Sequence, residues 1–306
     1  MHQRHPLYRH IACFIDQTDD AVIRSALAVA ARLHVEGGRL SIVHVAPPMQ
    51  VLQAGLSGWP LDADDPVRPV RDWLEQETAG IEDAERLVLT DADPPKRAVE
   101  WAAGAGVDLV VASRHSTRVQ RAALGSFTDG LARHTHTSVL LVPPGYAGRL
   151  TEPGSDLAHI LCCIDDSPAA SAALSEAARL RDAAGLARLT ALRVIVPPRP
   201  FRIGAVARHL PAPGSQERWV RGRLDAAAAG TSHAEAVVIK GLPRDACTWA
   251  TENGADLIVV GAHGDRPGPR MPGAFAHTVG LHAAEPVLLV PPAPGAADAG
   301  APGTGG

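Results

Sequence analysis

A chain of 306 residues with a formal net charge of −4 and a sequence pI near 6.4 lacks the cationic excess that marks nucleic-acid-binding proteins. The hydrophobic fraction of 46% is ordinary for a globular protein, and with aromatics at only 4% the cores must be built from Val, Leu, Ile and Ala. No apolar stretch reaches the ~18 residues needed to span a membrane, and the opening residues, Met1 to Pro6, have no apolar run, so neither an anchor nor a signal peptide is expected.

Short β-branched runs alternate with Ala-rich helical stretches from end to end, the sequence mark of βαβ units and a parallel sheet. Strands are predicted near 9–15, 40–46, 85–90, 107–112 and 138–142, with helices near 19–34, 68–80, 95–104 and 126–135. A second set follows. Its strands fall near 158–164, 188–195, 234–239, 256–260 and 286–290, and its helices near 168–184, 216–229, 243–253 and 274–283. Ser167 before Pro168, and Asp93 before Pro94, read as helix N-caps followed by proline in the first turn, where its missing N–H is not needed. Runs such as Leu109-Val110-Val111 and Leu257-Ile258-Val259-Val260 are apolar without alternation, so both faces of those strands must be covered. Segments 47–67 and 196–215 are rich in Pro and Gly and read as surface loops, and 293–306 as a disordered tail.

The two sets are copies. His10-Ile11-Ala12-Cys13-Phe14-Ile15-Asp16 returns as His159-Ile160-Leu161-Cys162-Cys163-Ile164-Asp165, 149 residues later. Gly106-Val107-Asp108-Leu109 returns as Gly254-Ala255-Asp256-Leu257, and Val139-Leu140-Leu141-Val142-Pro143 as Val287-Leu288-Leu289-Val290-Pro291, both at 148. A register held over three segments in the same order implies two homologous domains, expected at 1–146 and 154–292. The four cysteines, Cys13, Cys162, Cys163 and Cys247, show no metal-binding spacing and read as free, buried thiols of a cytoplasmic protein.

In an open parallel sheet, ligands bind beyond the carboxyl ends of the strands, where strand order reverses. Three strand ends therefore matter. The first strand of each copy ends in a carboxylate, Asp16 or Asp165, suited to accept hydrogen bonds from a base amine or sugar hydroxyl. The fourth strand of the second copy ends in Gly261-Ala262-His263-Gly264, and the next helix is expected to begin at Gly273-Ala274. Glycines let backbone N–H groups approach an anion, and a helix N-terminus adds partial positive charge. Arg266 and Arg270 lie in the same loop. The first copy has Ser113, His115, Ser116, Arg118, Gly125 and Ser126 at the matching places, so left-handed backbone at Ser113 or Ser116 would be strained by ~1 kcal/mol or more. His134 and His136 form a weak metal motif with no acidic or cysteine partner nearby in sequence.

The strand-end Asp, the run Asp256-Leu257-Ile258-Val259-Val260-Gly261-Ala262-His263-Gly264 and the closing Pro286-Val287-Leu288-Leu289-Val290 resemble the universal stress protein family, as two tandem copies covering nearly the whole chain. The resemblance implies an adenine nucleotide alpha hydrolase-like fold: two doubly wound five-stranded parallel sheets of order 3-2-1-4-5. It also implies a stress-response module that binds ATP or a related adenine nucleotide, with magnesium. Carried over by position, Asp165 and Val194 would meet the adenine and ribose. Gly261, His263, Gly264, Gly273 and Ala274 would line the phosphates. The first-copy counterparts are Asp16, Val45, His115, Gly125 and Ser126. The family's phosphate motif has nine residues before its closing Gly-Ser/Thr pair. Both loops here have eight, the first copy lacks the leading glycines, and the second lacks the terminal hydroxyl. The expectation is a nucleotide site in the second copy more than the first. No fast catalysis is expected, and the final strands would pair the domains and build a homodimer. The alternatives are a scaffold without a nucleotide, acting through dimerisation, and a slow ATPase.

Overall fold

The structure, a computed structural model, describes residues 8–17, 20–34, 37–48, 65–114, 126–134, 136–152, 157–165, 167–185, 187–196, 214–227, 234–262 and 273–293. Most of segments 47–67 and 196–215, and all of the tail but its first residue, lie outside the described residues, as do both strand-to-helix loops beyond Arg114 and Ala262. Contacts divide the chain into two units, Met1–Pro153 and Gly154–Gly306.

The first unit runs β1 (His10–Phe14), α1 (Asp20–Leu33), β2 (Arg39–Ala46), α2 (Arg68–Glu77), β3 (Ala84–Thr90), α3 (Pro94–Gly104), β4 (Leu109–Ser113), α4 (Ser126–His134) and β5 (Ser138–Val142). Its strands lie in the order β3-β2-β1-β4-β5, every pair parallel. The second unit repeats the plan with β6 (His159–Cys163), α5 (Pro168–Ala183), β7 (Arg188–Ile195), α6 (Ser215–Ala227), β8 (Ala234–Lys240), α7 (Pro243–Glu252), β9 (Leu257–Gly261), α8 (Ala274–His282) and β10 (Val287–Val290). Its order is β8-β7-β6-β9-β10, again parallel throughout. Both units therefore have the expected doubly wound order.

The central strands carry the cores. All five residues of β1 and of β6 are buried, because helices cover both faces. In the first unit α1 packs on β1, β4 and β5, while α3 packs on β2, β3 and α4. Cys13 and Cys162 sit inside these strands with no exposed surface, and all four cysteines are free and buried. Burial pushes the Cys13 thiol up to about 12. Trp101 meets His10 and Phe14 edge-on, with ring centroids 6.2 and 6.0 Å apart, and Trp249 meets His159 at 6.1 Å, so both half-buried indoles pack against the core.

Local chemistry explains the element ends. The Ser167 hydroxyl accepts from the Ala170 N–H at 3.1 Å and the Asp93 carboxylate from the Lys96 N–H at 3.3 Å, each ahead of a proline in the first turn. Gly106 and Gly254 hold φ of +68° and +65° where a helix turns back into the fourth strand of its unit, a conformation that favours glycine.

At the amino-terminal ends of the strands both units carry the same clamp. The Asp108 carboxylate accepts from the backbone N–H of Arg9 and His10, and that of Asp256 from Ala158 and His159, at 2.7–3.1 Å. The His10 and His159 rings reach Ser41 and Thr190 through Nε2, at 2.9 Å in each unit. Burial holds both histidines below their ordinary value, and the Arg188 guanidinium adds to this at His159. The recurrence of His and Asp in the sequence thus records a structural lock at the end of the sheet opposite the strand-end crevice. Among the described residues no helix is long and apolar enough to cross a membrane, and no group of three or more His, Cys, Asp or Glu is placed to hold a metal.

Candidate ligand site at the strand ends

In the first unit the chain leaves β1 towards β2 on one side, while β4 lies on the other. The switch point falls beyond Phe14 and Ser113, and a cavity of about 250 Å³ opens there. Its floor is the end of β1, where Ile15 continues the ladder by donating to the Val43 carbonyl at 3.0 Å. One wall is α1, through Val22, Ile23 and Ala26. The others come from Val45 and Pro47 after β2, Ser113 at the end of β4, and Phe127 at the start of α4. Phe127 is held against Phe14, with ring centroids 5.8 Å apart.

The polar groups are few and placed. Asp16, half-buried, lies at the rim, and Gln17 is exposed beside it. His44 is 2% exposed and donates from Nδ1 to the Ile15 carbonyl at 2.8 Å, with its ring edge-on to Trp73 at 5.2 Å. The Ser113 hydroxyl donates to the Val142 carbonyl at 3.3 Å, and Thr128 Oγ1 donates back to the Ser113 carbonyl at 3.3 Å, which ties the start of α4 to the end of β4. The result is a mostly apolar hollow with one carboxylate at its mouth and the N-terminus of α4 alongside. Such a hollow can desolvate a flat ring while satisfying a polar edge.

The second unit has the same frame and a different filling. Ile164 donates to Leu192 as Ile15 does to Val43, and Asp165 again ends the strand. Asp165 is exposed, and its Oδ1 accepts from the Ser167 N–H at 2.9 Å, so this carboxylate helps shape the turn into α5. The position matching His44 is Arg193. Its guanidinium stacks over the Trp219 ring, 4.1 Å from the centroid, and the Arg223 guanidinium lies over the same ring at 4.7 Å. Arg223 Nη1 donates to the hydroxyl of Ser171, which stands where the first unit has Val22.

Gly261 is explained by packing. A Cβ there would sit 2.7 Å from the Ala169 carbonyl carbon and 2.8 Å from the Ala170 nitrogen, because the first turn of α5 lies directly on the end of β9. Gly261 lies in a strand without positive φ, so the matching Ser113 meets no left-handed strain there, and Gly273 has φ of −51°. The space vacated by the missing Cβ is taken by a helix. Gly273 is the N-cap of α8, and its N–H donates to the Ala262 carbonyl at 3.2 Å.

The universal stress protein family matches residues 7–143 and again 157–291. The chain belongs to this family. Its fold is shared with a universal stress protein from Archaeoglobus fulgidus, at 16% identity and a TM-score of 0.66, covering 92% of this chain and 98% of that one. A functionally unknown protein from Pseudomonas aeruginosa is similar over 93% of both chains, at 15% identity and a TM-score of 0.58. No curated protein matches the sequence.

Within this universal stress protein, the first-unit positions Asp16, Val45 and Ser113 converge on the cavity, while His115, Ser116, Gly125 and the Ser126 side chain lie outside the described residues. In the second unit Asp165, Val194, Gly261, Gly273 and Ala274 are described, and His263 and Gly264 are not. Val194 is half-buried in β7, in register with Ile239 of β8. The side chains that distinguish the two units, His44 against Arg193 and Val22 against Ser171, did not stand out in the sequence. Aligning the copies through the first helix and second strand would have exposed them.

Proposed function

We propose that this universal stress protein is a nucleotide-responsive binding protein of the stress response, which takes ATP or a related adenine nucleotide at the strand ends of its first unit. The observation that supports this reading is the cavity at the switch point of that unit. Its walls of Val22, Ile23, Ala26, Val45 and Phe127 suit a purine ring, and Asp16 at the rim offers acceptors to an exocyclic amine or a ribose hydroxyl. The volume of about 250 Å³ fits a base rather than a whole nucleotide, so the phosphates would lie outside, towards the N-terminus of α4. Magnesium enters as the counter-ion of those phosphates. The second-unit set, Asp165, Val194, Gly261, His263, Gly264, Gly273 and Ala274, is the alternative seat, favoured by its glycine-rich loop. The arginines at its base corner are why the first unit is preferred. A binder rather than a catalyst is proposed, with slow ATP hydrolysis at most. A cytoplasmic location belongs to the same reading, supported by four free, buried cysteines.

The test is thermal denaturation with and without millimolar MgATP, on wild type, Asp16→Asn and Asp165→Asn. A rise in midpoint for wild type and Asp165→Asn, reduced in Asp16→Asn, is the expected outcome. The reverse pattern would move the nucleotide to the second unit. No rise in any of the three would remove nucleotide binding from the account.

A further inference from the structure

The lock at the amino-terminal ends of the strands is built from the same residues in both units, but its arginine is placed differently. In the first unit Arg39 binds Glu85, with Nη2 donating to Oε2 at 2.6 Å. The Ser41 hydroxyl donates to the same Oε2 at 3.0 Å and lies 2.9 Å from His10 Nε2. His10 Nδ1 faces the Ala105 carbonyl at 3.2 Å. Both ring nitrogens therefore face oxygens able to accept, and a protonated His10 would complete the chain from Ala105 through Ser41 to Glu85. In the second unit the counterpart of Arg39 is Arg188. Its Nη2 lies 2.7 Å from His159 Nδ1 and donates to the Asn253 carbonyl at 2.8 Å. Glu235 stands in register with Thr190 as Glu85 does with Ser41, and it is exposed. A guanidinium only donates, so His159 Nδ1 accepts. The ring is then the neutral tautomer, with Nε2 donating to Thr190 Oγ1 at 2.9 Å.

We propose that the second-unit lock is an acid-released latch: a proton arriving at His159 Nδ1 displaces Arg188 and unties the start of β7 from the end of α7, while the first-unit lock stays closed. The charged groups facing His159 are Arg188 from β7 and Asp256 from the turn into β9. Those facing His10 are Arg39 from β2, Glu85 from β3 and Asp108 from the turn into β4. A proton on His159 Nδ1 sets N–H against N–H across 2.7 Å and one cation against another. Arg188 is exposed and can turn into water, whereas His159 is 3% exposed and stays. The vacated Asn253 carbonyl, 3.2 Å from Nδ1, then accepts from the imidazolium. In the first unit the same proton meets acceptors at both nitrogens, and the Arg39–Glu85 pair is undisturbed. Burial lowers both rings; at His159 the Arg188 charge is the next largest cause, while at His10 the Ala105 carbonyl comes next and opposes the shift. The latch lies at the end of the sheet opposite the strand-end cavity and stands whether or not a nucleotide binds there.

The full-length protein is titrated from pH 7.5 to 5.5 and the ring nitrogens are followed by nitrogen-15 resonance, with His10→Gln and His159→Gln assigning the two signals. The expected result is a His159 ring protonated only at Nε2 at pH 7.5, titrating at lower pH than His10. In Arg188→Met the His159 midpoint is expected to rise by at least about half a pH unit, a change that loss of packing alone would not produce. Hydrogen exchange, corrected for its intrinsic pH dependence, gives an independent reading on wild type. Protection across residues 187–190 and 253–257 is expected to fall several-fold on acidification, up to the roughly tenfold limit for one proton, and to fall less across 38–41 and 105–109. A proton on Nδ1 at pH 7.5, a His159 midpoint at or above that of His10, an unmoved midpoint in Arg188→Met, or equal loss of protection in both units would each overturn the proposal.

Discussion

At the scale of single residues, buried titratable groups set how the protein answers pH and thiol reagents. His10 and His159 are 5% and 3% exposed and are held below the ordinary histidine value of 6.5, chiefly by burial. In the unfolded chain both rings titrate near 6.5, so below that pH the unfolded state binds more protons than the folded one. Their contribution is therefore complete above pH 6.5 and is lost as pH falls through 6.5 towards the folded values, by at most ~1.4 kcal/mol per pH unit for each ring. Denaturant melts taken at falling pH are expected to show this slope, and His159→Gln to flatten part of it. A melt that is flat below pH 6.5 would contradict the burial argument. The thiols behave in the same spirit: all four cysteines are buried, and burial raises Cys13, Cys162 and Cys163. Native protein is expected to react slowly with a disulfide reagent, with four thiols appearing only on unfolding. The repeated His and Asp were visible in the sequence as identities. Their shared role was not, because Asp108 lies 98 residues from His10 and only the parallel pairing of β1 with β4 brings them together.

At the scale of elements, helix starts decide more than composition does. Ser167→Ala removes the one side-chain cap of α5 and is expected to lower stability by about 1 kcal/mol, read from the thermal midpoint. Gly261→Ala is expected to destabilise more, on the order of 1–3 kcal/mol, since its Cβ would meet backbone atoms of Ala169 and Ala170 inside 3 Å. A Gly261→Ala variant as stable as wild type would mean that α5 can retreat from β9. That glycine was legible in the sequence as one member of a phosphate-loop pattern. Its packing role was hidden, because the clash partner belongs to a helix about 90 residues away in the chain. Strands and helices themselves were legible to within a few residues, since period and caps are local signals. Which wall of a cavity a helix supplies is not a local signal. Val22 against Ser171 reads as a trivial surface difference until α1 is laid over the end of β1.

At the scale of the whole molecule, duplication has kept one frame and separated its contents. Two doubly wound parallel sheets were legible in the repeat and its apolar non-alternating strands, and the strand order 3-2-1-4-5 came from the resemblance to the family. The first-unit hollow was not legible, since the glycine-rich loop drew attention to the second unit, while the cavity among the described residues lies beside Asp16. The proposed nucleotide reading expects one nucleotide per chain, from the contrast between His44 with Val22 and Arg193 with Ser171. Entry of an adenine nucleotide into the first-unit cavity is tested most directly by calorimetric titration of MgATP into wild type and Ala26→Leu. A stoichiometry near one per chain, with affinity weakened at least about tenfold when the larger side chain fills the cavity, is the predicted result. Two nucleotides per chain, or undiminished affinity in Ala26→Leu, would contradict it.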